Sequence, residues 1–182
     1  MSHQINITEN GTTTLATAGK YCDRNIDVNV NVADGEEEIA RQKAITDSLV
    51  NKTITEFSSD NINTVEVYAF YYCLSLHTVN CPNIWVVYAR GFGNCTALKR
   101  INLPTVRQIS SNAFADSKLE TLILGATEYT CSLQNTNAFS GTPIGNGTGY
   151  IYVPDALVDT YKTATNWSTF ANQIKPISEL EE

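Results

Sequence analysis

The sequence predicts a mixed α/β repeat protein: short parallel strands stacked rung upon rung, helices over the ends, and a small β module in front. Three observations predict it. Phe70, Phe92 and Phe114 stand 22 residues apart, and Phe139 follows after 25. Between them the apolar residues keep one schedule, in the pairs Cys73 and Cys95, Leu76 and Leu98, Val79 and Ile101, Cys81 and Leu103, with Pro82 and Pro104 closing each run. The chain is 42% apolar and 17% charged, a globular balance that can fill a core.

Residues 1–34 read as the β module. Ile5 and Ile7 alternate with polar neighbours, Asn10-Gly11 and Ala18-Gly19 are turn signals, and Ile26, Val28, Val30 and Val32 hold period two. Some thirty residues make a meagre core, so the module is expected to be stable only when docked, on a larger body or on copies of itself. Its strand edges invite pairing with another chain, and a homo-oligomer through this module is one expectation.

Residues 35–50 read as a connecting helix. Asp34-Gly35 breaks the chain, Glu36, Glu37 and Glu38 suit the positive end of a helix dipole, and Ile39, Ala40, Ala44, Ile45, Leu49 and Val50 form a loose stripe. The stripe is too irregular for a coiled coil and is expected to shield the first rung.

Residues 51–154 hold about four and a half copies of one unit. The earliest, "DNINTVEVYAF", has Asp60 where later copies have proline. The third full copy is one residue short, with Gly125 in place of proline. The last follows the insertion "GTPIGNGTG" and restores Ile151-x-Val153-Pro154. A period in the twenties with Leu-x-x-Ile-x-Leu reads as a solenoid. Side chains of a strand switch face at every residue, so Leu98, Ile101 and Leu103 point inward while Arg100 and Asn102 point out. Proline then ends the strand because it has no N–H for the next rung. The turn should return each Phe to the interior, stacked on its neighbour. Cys73 and Cys95 share one repeat position and should lie about 5 Å apart; packed free thiols and a disulfide are both open for them.

The unit "AF-x-x-C-x-x-L-x-x-I-x-L-P-x-V-x-x-I" resembles the BspA-type leucine-rich repeat, also called leucine-rich repeat 5. That resemblance implies a right-handed leucine-rich-repeat solenoid. The C-terminal "GTGYIYVPDALVDTYKTATNWSTFANQIKPISE" resembles the segment closing such arrays in proteins of Firmicutes and their phages. The N-terminal "INITENGTTTLATAGKYCDRNIDVNVNV" resembles a short β module of phage and prophage tail or accessory proteins.

Residues 155–182 read as a helical cap with an acidic tail. Asp155 follows Pro154 as a candidate cap for a helix through about Ala164, with Leu157 and Tyr161 on one face. Trp167, Phe170 and Ile174, spaced three and four apart, are expected to plug the open end as a second helical turn.

Chemistry is scarce. The two histidines, His3 and His77, lie far from any paired ligand, and no Cys-x-x-Cys pair occurs among the five cysteines. No metal site, cofactor or catalytic residue is therefore expected. "Gly145-Asn146-Gly147-Thr148-Gly149" lacks the Lys-Ser/Thr of a phosphate loop, and the carboxylates are too scattered for a glycosidase pair. The net charge is −7, with six of nineteen acids at Glu36, Glu37, Glu38, Glu179, Glu181 and Glu182, and the body near neutral. No basic patch offers itself to nucleic acid. No leader-like or membrane-spanning apolar run is found, so the expected setting is the host cytoplasm or a virion.

What remains is surface. In the assigned phase the outward strand positions form a ladder of Glu56 and Ser58, Thr78 and Asn80, Arg100 and Asn102, Thr121 and Ile123, Tyr150 and Tyr152. Hydroxyls, amides and tyrosines suit a protein or glycan partner, bonding polar edges while the rings supply contact area. A solvated sheet face is the plainer reading of the same residues. The functional expectation is a non-enzymatic phage interaction protein, either virion-associated or an intracellular effector that inhibits a defence protein such as a nuclease.

Overall fold

The computed structural model describes residues 4–9, 12–17 and 54–181. Strands β1 (Gln4–Glu9) and β2 (Thr12–Thr17) pair antiparallel, with Glu9 opposite Thr12 and Gln4 opposite Thr17. The turn expected at Ala18-Gly19, the alternation from Ile26 to Val32 and the helix expected over residues 35–50 lie outside the described residues.

From Ile54 onward four successive repeats each supply two short strands, one to each of two separate sets of parallel pairs, and the chain beyond them adds two more strands to the first set. One set holds β3 (Glu56–Ser58), β5 (Thr78–Asn80), β7 (Arg100–Asn102), β9 (Thr121–Ile123), β11 (Tyr150–Val153) and β12 (Ile174–Pro176). Within it β3 pairs with β5, while β7, β9, β11 and β12 form one four-stranded sheet; β5 packs beside β7 without a ladder between them. The other set is the four-stranded sheet of β4 (Thr64–Val65), β6 (Val86–Val87), β8 (Gln108–Ile109) and β10 (Ser132–Leu133). Thr64 faces Val86 and Val86 faces Gln108, one repeat length on each time.

The period-two pattern explains the first set. Glu56-Phe57-Ser58, Thr78-Val79-Asn80 and Arg100-Ile101-Asn102 each put one apolar residue between two polar ones, and in each only the middle residue is buried. In the second set Val65, Val87, Ile109 and Leu133 are the buried residues. Both sets therefore line one apolar interior.

The phenylalanines form the column that the spacing predicts. Phe70 and Phe92 stack at 5.0 Å and 5°, Phe92 and Phe114 at 5.5 Å and 7°, Phe114 and Phe139 at 5.8 Å and 7°. All four rings are essentially inaccessible. Hiding each is worth about 1.5–3 kcal/mol, which no single repeat gains alone.

The turns that carry these rings have their own hydrogen-bonded rungs. The N–H groups of Tyr68, Phe70 and Tyr72 donate to the carbonyls of Ala89, Gly91 and Gly93; Phe92 and Asn94 do the same to Ala113 and Ala115. Two positions of the turn are left-handed, Tyr68, Arg90 and Asn112 at one and Tyr72, Asn94, Asp116 and Gly141 at the other, the turn of Phe139 keeping only the second. Asn, Asp and Gly tolerate that conformation, whereas a bulky side chain there costs about 1–2 kcal/mol.

One repeat position is polar inside. Cys95 donates its thiol to the Phe70 carbonyl at 3.0 Å, and Thr142 donates its hydroxyl to the Phe139 carbonyl at 2.7 Å. Ser117, equivalent to both, is buried with no partner for its hydroxyl. No disulfide joins Cys73 to Cys95, and both are buried thiols, as are Cys81 and Cys131. Burial pushes the Cys81 and Cys131 thiols up to about 12, and the Cys95 thiol higher still. Because the folded chain holds these protons more tightly than the unfolded chain, their contribution is intact below about pH 9 and lost as pH rises toward 12. Denaturant midpoints should fall across that window. On a Cys22→Ser background, iodoacetamide at pH 8 should label nothing until the chain unfolds.

The C-terminal segment departs from expectation at two points. Asp155 does not cap a helix through Ala164. A 3-10 turn covers Asp155–Leu157, the α-helix α1 is only Val158–Thr163, and neither start has a side-chain cap. The Asp155 carboxylate instead accepts the Ser178 N–H at 3.2 Å, and Ser178 holds it below its ordinary value. The chain returning at Ser178 offers a donor that the short helix does not. Ile174 is not in a helical turn either: it begins β12, opposite Ile151 of β11. Pairing with an open strand overrides local spacing.

Trp167 and Phe170, on a 3-10 turn (Trp167–Phe170), pack on Phe139 at 6.0 and 5.3 Å. Their neighbours close the open edge of β10 with side chains. Trp167 Nε1 donates to the Cys131 carbonyl at 2.7 Å, the Tyr161 hydroxyl accepts the Cys131 N–H at 2.8 Å, and Asn166 Nδ2 donates to the carbonyls of Leu133 and Gln134. Beside them β12 ends in Pro176, which has no N–H to offer a further strand.

Candidate interaction face

The first set of strands arranges the ten expected outward residues in two rows. Register places Glu56 opposite Thr78, and Arg100 opposite Thr121 opposite Tyr150. The second row runs Ser58 opposite Asn80, then Asn102 opposite Ile123 opposite Tyr152. The two halves of each row meet where β5 packs beside β7. Glu56, Ser58, Thr78, Asn80, Arg100, Asn102 and Tyr150 are exposed, while Thr121 and Tyr152 are half-buried.

Ile123 is the exception. It is only 7% exposed, although it does not belong to the interior cluster. Asn102 and Tyr152 flank it in register on the strands to either side, so its outward side chain is hidden on the surface of the sheet. It supports its neighbours in the row and presents little of itself to a partner.

The structure adds a residue the sequence reading missed. Lys175 of β12 lies opposite Tyr152 and extends the second row. Its ammonium stands 5.0 Å from the Tyr150 ring centroid and 3.3 Å from a Glu179 carboxylate oxygen. The Glu179 hydrogen bond, then its charge, raises the Lys175 pKa. Tyr150 and Tyr152 lie 6.4 Å apart at 56°. The signal available in the sequence was the polar residue between Ile174 and Pro176, read there in helical phase.

The face is polar and almost free of chemistry. His77 Nδ1 lies 2.9 Å from the Thr78 hydroxyl, with both groups exposed. Lys99 and Glu120 pair at 3.6 Å on the solvent side, a contact worth under about 1 kcal/mol. Among the described residues no three of His, Cys, Asp and Glu gather to hold a metal ion, and no helix is long and apolar enough to cross a membrane. Arg100→Ala should change stability by no more than about 0.5 kcal/mol, measured by urea denaturation, because its side chain is solvated.

Short parallel strands repeating near every 22 residues, with one buried Phe per turn and a side-chain ladder outside, define a leucine-rich repeat protein. The chain belongs to one branch of that class. The BspA type leucine-rich repeat region matches residues 43–146 in six copies, more than half of the chain. The phenylalanine spacing had suggested about four and a half copies from residue 51. No curated protein matches the sequence. Leucine-rich repeat domains generally serve protein–protein or ligand binding, and this repeat family is typically non-enzymatic.

Proposed function

We propose that this is a non-enzymatic interaction protein of a phage or prophage, virion-associated, whose repeats close as a right-handed solenoid with capped ends. The two outward rows, extended by Lys175, meet a protein or glycan of the host cell. The observation that carries the reading is the juxtaposition of Asn80, Asn102, Tyr150, Tyr152 and Lys175 on one face, which combines amide donors and acceptors with aromatic contact area. The likeness of both flanks to phage-borne segments supports the setting, and the β1–β2 hairpin is the attachment element.

Mass spectrometry of purified particles tests the setting, since absence from virions would defeat it. Whole-cell binding by the chain and by an Asn102→Ala, Tyr152→Ala double variant tests the face. A loss of tenfold or more is expected from one or two contacts of about 1–2 kcal/mol each. The acidic character of the chain favours a second reading: an effector that binds a basic bacterial defence protein, such as a nuclease, inside the infected cell. A single stoichiometric nuclease recovered with the chain, together with empty virions, would decide for it.

A further inference from the structure

The repeats provide an internal control for their own surface. At four equivalent positions of the turn, the repeat that carries Phe70 exposes large apolar or aromatic side chains where later repeats do not. Val67 is matched by Ala89 and Ser111, Tyr68 by Arg90 and Asn112, Tyr72 by Asn94 and Asp116, and Leu74 by Thr96 and Lys118. Val67, Tyr68, Tyr72 and Leu74 are 51%, 49%, 41% and 47% exposed. Architecture does not require these side chains, since the later turns repeat the hydrogen bonds of the Phe70 and Tyr72 N–H groups without them. Tyr68 and Tyr72 also occupy the two left-handed positions, where a bulky residue is disfavoured. Backbone in sparsely populated regions clusters at functional sites, which points attention to these rings.

The rings have a defined shape. Tyr71 lies between the other two, at 5.0 Å and 74° from Tyr68 and at 4.5 Å and 86° from Tyr72. It settles against the next turn because position 93 is glycine; a Cβ there would come within 3.0 Å of the Tyr71 ring. The Tyr71 ring thus meets each of the other two at nearly a right angle, edge against face. Ring faces attract cations, and Tyr71 already draws one, as the Arg90 guanidinium carbon lies 5.7 Å from its centroid. Asp116, 3.9 Å from Arg90, offsets that charge. The chain as a whole carries −7.

We propose that Tyr68, Tyr71 and Tyr72 form a second contact surface, separate from the strand face, that receives a basic side chain of a protein partner. It extends the reading that the repeats bind another protein and names the chemistry of one contact. Isotope-labelled full chain, followed by amide NMR, is titrated with N-acetyl-trimethyllysine methylamide, with its neutral tert-butyl isostere and with methyl glucoside.

Saturable shifts at Tyr68, Tyr71, Tyr72 and Gly93 are expected for the cation, with the isostere weaker by roughly five- to tenfold. Tyr68→Asn with Tyr72→Asn installs residues that later repeats hold at the same positions. It should abolish those shifts while the thermal midpoint stays level or rises. Equal binding of the isostere, binding of the glucoside alone, or no shifts at all would overturn the proposal, as would a midpoint lowered by the double variant. Asn102→Ala with Tyr152→Ala should leave this titration unchanged, so failure of the strand face and failure of the tyrosine surface are read separately.

Discussion

Phe92→Ala is expected to lose about 3–5 kcal/mol of stability, read as a lower midpoint in urea with Arg100→Ala alongside as the near-neutral control. Phe92 is fully buried, stacked on Phe70 at 5.0 Å and on Phe114 at 5.5 Å, so removing it empties a rung with aromatic rings above and below. The neighbours cannot collapse into the gap, because each is fixed by its own turn: Phe70 N–H bonds to Gly91 and Phe114 N–H to Ala138. Phe92→Leu should recover a good part of the loss by refilling the volume. A melt unchanged by the alanine variant would mean that the column carries no load.

Trp167→Ala is expected to cost a comparable amount, about 3–5 kcal/mol, and to add a second consequence. The indole packs on Phe139 and Tyr161 and donates to the Cys131 carbonyl, so the variant both uncovers the last rung and orphans an acceptor on the edge of β10. Trp167→Phe should separate the two effects. It retains most of the packing and leaves the unpaired carbonyl, worth about 1–3 kcal/mol. Light scattering provides the further check. An opened strand edge recruits other chains, so the alanine variant should self-associate at concentrations where the parent remains dispersed. Equal scattering from both would show that the edge is protected by something other than these side chains.

How much was legible in the sequence follows from which forces are local. Polar–apolar–polar triplets such as Thr78-Val79-Asn80 identify a strand and its buried face without any knowledge of the rest of the chain, because strand side chains alternate by geometry. A fixed 22-residue spacing identifies the Phe column for the same reason: equal path lengths bring equal positions into line. Ile123 was misjudged, since its phase pointed outward but its burial depends on which residues stand on either side, and those come from positions 102 and 152. Lys175 was missed because Trp167, Phe170 and Ile174 fit a helical spacing, whereas the strand that Ile174 begins is set by an unfilled edge on β11. Tyr68, Tyr71 and Tyr72 stand close together along the chain, but their exposure and the angles between their rings depend on the turn that the next repeat packs against.

The sequence by itself determined the repeat, its length, the inward and outward faces of the strands and the ring at the centre of each turn. Those properties depend on periodicity, and periodicity is written along the chain. Only the tertiary structure decided which polar residues become neighbours, how the last strand edge is closed and which rings stay in solvent. Each of these is settled by groups from distant positions that meet only when one repeat is laid against the next.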